Sequence, residues 1–251
     1  MSRPALVFVH GWAQSAKTWH AQVAHFAPHF AVHTPNLPGH GGAPDMPLET
    51  WQDALLSALP DGPVMLIGWS LGGMLGLQLA THHPERLTGL VLLSSTPCFR
   101  QQADWQHGCE DAVFERFAEA LATDAPRLLD RFFALMMQGD ELSRRQYVDI
   151  ARHAVDKRHP ASPAGLQDGL RLLDELDLRA SLAAVRVPTL IVHGEHDAVT
   201  PVGAARFMDG AIPDGDLKVL PSGHALHLCH AQALNELLEE WCLSNISTHD
   251  R

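Results

Sequence analysis

Unbroken apolar runs alternate along the chain with stretches of helical periodicity. Residues 5–10 (ALVFVH), 30–34, 64–68 (VMLIG), 87–94, 189–194 (TLIVHG) and 217–220 read as strands. Runs that lack a polar alternate predict strands buried on both faces. Helical spacing marks 17–26, 49–59 and 71–82, where Pro84 ends the pattern, and 231–243, where Leu234, Leu237, Leu238 and Trp241 share a side. This alternation predicts an α/β fold, a mostly parallel sheet with helices on both faces. Only nine residues precede His10, which makes Ala5–Val9 the expected sheet edge.

Between Pro97 and Val187 the pattern changes. FERFAEALA, RLLDRFFALMM, SRRQYVDIARHAV and GLQDGLRLLDEL are helical in period, rich in charge and free of strand signals. The reading is a core of residues 1–96 and 188–251 with a helical cap, 97–187, inserted over the carboxyl ends of the strands. Open α/β sheets bind ligands there.

Composition narrows the function. The 251 residues are 46% hydrophobic and suit one large domain with an insertion. Lys and Arg number 18 against 29 Asp and Glu, a formal charge of −11. That balance opposes nucleic-acid binding, which rests on cationic contacts to phosphate. No apolar run approaches the roughly 20 residues of a membrane span, and the N-terminus lacks a signal-peptide pattern. A soluble, cytoplasmic monomer is expected. Cys98, Cys109, Cys229 and Cys242 form no CxxC pair and read as reduced, packed thiols. The 17 His are scattered without an HExxH motif; His224, His227 and His230 are spaced by three but have no carboxylate beside them. No metal is expected.

The chemistry concentrates in Gly68-Trp69-Ser70-Leu71-Gly72, between a buried strand and a helix. A GxSxG serine on such a tight turn is lifted above the sheet, and glycines clear room at either flank. The helix start offers backbone N–H groups to a developing oxyanion. A serine nucleophile needs a base, and the base needs an acid to orient it. Asp197 follows the strand at 189–194 and is the candidate acid, with Glu195 closer to the strand as a loop-holding alternative. His224 follows the Ser222-Gly223 turn and is the candidate base; His227 reads as a helix-start or packing residue. Backbone N–H groups of Trp12 and Leu71 are the candidate oxyanion donors. His10 reads as a residue that holds its loop, and the Trp12 indole as pocket lining.

These residues, in this order, resemble the α/β-hydrolase superfamily over nearly the whole chain. HGW, NLPGHG, GWSLGG, HHPERL, SSTPCF continuing to Trp105, and RFFALMMQG resemble one branch of it, the pimeloyl-[acyl-carrier protein] methyl ester esterases of biotin synthesis. The resemblance implies a Ser70, Asp197, His224 triad, with Trp12 and Leu71 at the oxyanion and substrate site. It also implies an acyl channel lined by Phe132, Phe133, Ala134, Leu135 and Met136, and no metal or organic cofactor. Arg127, Arg131 and Arg144 fall where that branch docks its acidic carrier protein; the alternative is ordinary surface pairing with Asp130, Asp140 and Glu141. Met136 and Met137 would make a soft lining with broad chain selectivity. A general short-chain carboxylesterase, carbon–carbon bond hydrolysis and an idle binding protein on the same scaffold are the rival readings.

Overall fold

Six strands pair in parallel throughout. The computed structural model describes residues 3–246; positions 1–2 and 247–251, assigned from sequence to the core, lie outside the described residues. The strands are β1 Ala5–Val9, β2 Ala31–His33, β3 Val64–Trp69, β4 Leu87–Leu93, β5 Thr189–Gly194 and β6 Gly215–Leu220, in the order β2-β1-β3-β4-β5-β6. Alternate residues enter two separate cores. Val7, Val9, Leu66, Leu90, Leu92 and Ile191 pack on one face, and Leu6, Phe8, Ile67, Trp69, Val91, Leu93 and Val192 on the other. Apolar runs without alternation follow directly from this two-sided burial.

The edge differs from expectation. β1 is interior, because α1 (His20–Phe26) returns the chain to its outer side, where the short β2 pairs Ala5 with Ala31 and Val7 with His33. The sheet therefore ends on a three-residue strand, a form that blunts edge pairing. β1 lies between β2 and β3, so chain connections diverge above its carboxyl end, where such sheets open a crevice. Around it run α2 (Trp51–Ala58) and α3 (Leu71–His82). After β5 come α7 (Val202–Ala211), the single turn α8 (Leu226–Cys229) and α9 (Ala231–Ile246). The sequence reading had no α7, whose stretch VGAARFMDGA carries two glycines and a weak apolar stripe.

Between β4 and β5 stand α4 (Asp111–Met136), α5 (Arg144–Ala154) and α6 (Pro163–Glu175). Two predicted helical segments are halves of α4, divided at Asp124, whose φ of −151° and ψ of 66° are not helical. Asp124 Oδ1 accepts the Arg127 N–H at 3.3 Å, so Asp124 caps the second half and Pro126 falls in that half's first turn. Arg100 pairs with Asp111 and Asp174, each at 2.7 Å, joining the start of α4 to α6. Among the described residues, no helix is long and apolar enough to cross a membrane.

Candidate active site

Ser70 sits between β3 and α3 with φ +54° and ψ −118°, a conformation that a side-chain-bearing residue rarely adopts. Packing enforces it. A Cβ on Gly68 would lie 2.6 Å from the Gly73 Cα, and one on Gly72 would overlap the Val9 carbonyl. The Ser70 N–H donates to the Leu93 carbonyl at 2.9 Å, and the Ser95 hydroxyl donates to the Ser70 carbonyl at 2.9 Å. The loop after β1 crosses so close that a Cβ on Gly11 would stand 3.1 Å from the Ser70 Cβ. Beside that crossing, the Trp12 and Leu71 N–H groups find no acceptor among the described residues. Leu71 is the first residue of α3, where a helix leaves its N–H groups free.

His224 Nδ1 lies 2.8 Å from Asp197 Oδ2, and both side chains are wholly buried. Asp197 Oδ1 accepts the N–H groups of Val199 and Thr200, each at 2.8 Å. The Thr200 hydroxyl lies 2.8 Å from Oδ2, 3.1 Å from the Ser94 carbonyl and 3.2 Å from His224 Nδ1. Burial pushes the Asp197 carboxyl up, but the His224 and His193 imidazoles and these hydrogen bonds outweigh it and hold Asp197 below the usual carboxylate range. His193, 3.4 Å from Asp197, is itself pushed down by burial. The Trp69 indole donates to the His224 carbonyl at 3.0 Å. Among the described residues the other ring nitrogen, His224 Nε2, is buried without a hydrogen-bond partner, Ser70 Oγ included. Thr200, His193 and Trp69 were not singled out from sequence. Thr200 and Trp69 neighbour the candidate residues, and nothing but the fold reveals where they point.

Ser70 opens into an apolar cavity of about 80 Å³ with Trp12, Phe114, Phe117, Phe132, Leu135, Leu170 and Val199 among its walls. Trp12 is fixed by its indole N–H to the Leu166 carbonyl at 2.8 Å and by edge contacts with Phe117 and Phe132, both 5.3 Å between centroids. Of the five consecutive residues expected along an acyl channel, Phe132 and Leu135 line this cavity. Phe133 and Met136 turn into the second core and Ala134 is exposed. Met137 is buried with Met136, so neither methionine softens the cavity wall. Five adjacent residues spread around a helix, and one wall can take those spaced by three or four.

The three histidines spaced by three diverge. His224 faces Asp197, His227 Nε2 meets the Thr18 hydroxyl at 2.8 Å, and His230 Nε2 meets Asp140 at 2.8 Å. His10 holds its loop, with Nε2 accepting the Leu37 N–H at 3.0 Å. Arg127, Arg131 and Arg144 are exposed and line no part of the cavity. Among the described residues none of them forms an ion pair, and Asp140 is taken by His230 rather than by an arginine.

The alpha/beta hydrolase fold family matches residues 4–231. The chain belongs to the α/β-hydrolase family. Among curated relatives of this hydrolase is the pimeloyl-[acyl-carrier protein] methyl ester esterase of Nitrosomonas europaea, 40% identical over 226 residues, 88% of this chain and 89% of that protein. The protein of the same name from Aromatoleum aromaticum is 39% identical and covers 96% of this chain and 98% of its own. In solved structures, the fold recurs in an esterase from Exiguobacterium antarcticum, with TM-score 0.86, 24% identity and coverage of 96% and 92%. A bromoperoxidase from Bacillus anthracis gives TM-score 0.83 at 26% identity, with the same coverages.

Proposed function

We propose that this hydrolase is a serine carboxylic-ester hydrolase acting on pimeloyl-[acyl-carrier protein] methyl ester, with pimeloyl-[acyl-carrier protein] and methanol as products. One observation carries the reading: a buried Asp197–His224 pair whose free Nε2 has no partner, beside a serine held at positive φ over an apolar cavity. His224 Nε2 takes the Ser70 proton as Oγ attacks the ester carbonyl. The Trp12 and Leu71 N–H groups receive the oxyanion, and methanol leaves with the proton from His224. Water, deprotonated by His224, then cleaves the acyl-enzyme and restores the Ser70 hydroxyl. Asp197 stays ionised and keeps the imidazole in the tautomer that presents a bare Nε2. This chemistry calls for no metal or organic cofactor.

The relatives' names supply the substrate, and two features of this chain fit it. The cavity offers the ester end an apolar wall, and through Phe114 and Leu170 it shares lining with a surface groove of about 240 Å³ between α4 and α6. A chain too long for the cavity has somewhere to run. The carrier is acidic and the hydrolase carries −11, so association needs a local positive face. Along α5 and the loop after it, Arg144, Arg145, Arg152, Lys157 and Arg158 outnumber Asp149 and Asp156, and Arg127 and Arg131 are exposed on α4, which also brings Asp130 to that face.

The test compares the carrier-bound methyl ester with a free short-chain ester for wild type, Ser70→Ala and an Arg127/Arg131/Arg144→Ala triple variant. Ser70→Ala is expected to fold and to turn over neither ester. The triple variant is expected to raise KM about tenfold or more for the carrier-bound ester, with the free ester unaffected. Equal preference for the free ester, unchanged by the arginine substitutions, would leave a general carboxylesterase. Failure of Ser70 to react with a phosphonate ester would leave a binding protein.

A further inference from the structure

The segment that closes α4 stands between the loops that carry Asp197 and His224. The Met136 carbonyl accepts the Ala225 N–H at 3.0 Å. Four residues on, Asp140 Oδ2 accepts the Gly223 N–H at 3.1 Å while Oδ1 meets His230 Nε2 at 2.8 Å. The Asp140 side chain is 1% exposed. The fit is tight on both sides: a Cβ on Gly223 would overlap the Gln138 carbonyl, and one on Gly139 would overlap the His196 side chain, the neighbour of Asp197. With Trp69 holding the His224 carbonyl, the peptide groups on either side, Ser222–Gly223 and His224–Ala225, have partners outside their own loop.

We propose that Asp140 is a positioning residue for His224, tying the inserted helices to the turn that aims the catalytic base. The inference rests on the triad reading above. A buried carboxylate is costly unless its oxygens are satisfied, so an apolar side chain would serve as well if packing were the whole role. Both Asp140 oxygens are used, and one of them is spent on the peptide N–H directly before His224. A shift of about 1 Å in that turn displaces Nε2 from Ser70 by a similar distance, enough to slow proton transfer strongly.

The experiment uses the full chain, p-nitrophenyl acetate as a carrier-independent substrate, and three variants: Asp140→Ala, Asp140→Asn and His230→Ala. Asp140→Ala is expected to lower kcat about tenfold or more with KM within about twofold, and to slow phosphonate labelling of Ser70 in proportion. Asp140→Asn keeps an oxygen for the Gly223 N–H and is expected to stay within about threefold of wild type, as is His230→Ala, which loses the ion pair alone. Thermal melts accompany each variant. Amide exchange at Gly223 and Ala225 is expected to quicken in Asp140→Ala. Wild-type kcat in Asp140→Ala, or equal losses in all three variants, would overturn the proposal and assign Asp140 to stability. If wild type itself hydrolyses no ester while exchange at Gly223 still quickens in Asp140→Ala, the esterase reading falls and the hold on the loop stands.

Discussion

Trp69 and His224 are joined by a hydrogen bond from the indole N–H to the histidine carbonyl at 3.0 Å, with the ring centroids 5.4 Å apart. The residue before the proposed nucleophile, Ser70, thus carries the residue proposed to activate it. Trp69→Phe keeps an aromatic body in the core and deletes the donor. The expected cost is about 1 kcal/mol of stability and a several-fold fall in kcat with KM little changed. Urea unfolding beside ester kinetics checks it; an unchanged kcat would remove the indole from the positioning of His224.

The turn that aims Ser70 toward the cavity holds its backbone in strain. At φ +54° a glycine is comfortable and an alanine is not. Ser70→Gly and Ser70→Ala should both be inactive, yet the glycine variant should be more stable than the alanine variant by about 1 kcal/mol. At an ordinary position the order is the reverse. Melting both proteins side by side decides it, and an alanine variant of equal or higher stability would show that the turn is unstrained.

Acid should destabilise the fold earlier than carboxylate protonation accounts for. Burial, with His40 nearby, pushes His10 down to about 3, and burial also depresses His40, His193 and His227. The folded chain keeps these imidazoles neutral, whereas the unfolded chain protonates them near pH 6.5. Their contribution is therefore full above pH 6.5 and is lost as pH falls. One such histidine costs about 1.4 kcal/mol per pH unit, or about 2 kcal/mol by pH 5. Asp197 works in a lower window, because its depressed carboxyl loses its contribution only below about pH 3.8. Urea midpoints at pH 7, 6 and 5 should decline steadily, and His10→Asn should flatten the decline by about one proton. A wild-type midpoint constant from pH 7 to 5 would contradict the assignment.

Neighbouring phenylalanines on α4 should behave differently. Phe132 meets Trp12 and lines the cavity, while Phe133 is buried against Tyr147 in the second core. Phe132→Ala is expected to shift acyl-length preference with a modest loss of stability. Phe133→Ala is expected to cost about 3 kcal/mol and leave the preference alone. Rates on a series of esters of increasing acyl length, read with melting curves, separate the two. The same length preference in both variants would place the chain elsewhere.

That pair also shows what a linear reading reaches. Strands such as 64–68 and 189–194 are legible because burial on both faces removes every polar alternate. Ser70 is legible because its glycines and its place after a strand are local. Lining is not local: a run of five residues names a helix segment, and the choice of Phe132 over Phe133 needs the rotation of α4 about its axis. The edge strand was found but misplaced, since sequence order does not say on which side of β1 the chain returns. Asp140 meets Gly223 from 83 residues away, and nothing in its neighbourhood distinguishes it from other surface-type carboxylates.

The break at Asp124 divides the roof into parts that can change separately. The first half of α4 brings Phe114 and Phe117 to the cavity, and among the described residues no hydrogen bond runs from it to the loops of Asp197 or His224. The second half ends in Met136 and the turn to Asp140, which hydrogen-bond the loop of His224. Substitutions in residues 111–123 can therefore reshape the cavity while the turn before His224 keeps its support. One side of that break shapes the cavity and the other side holds the turn before His224.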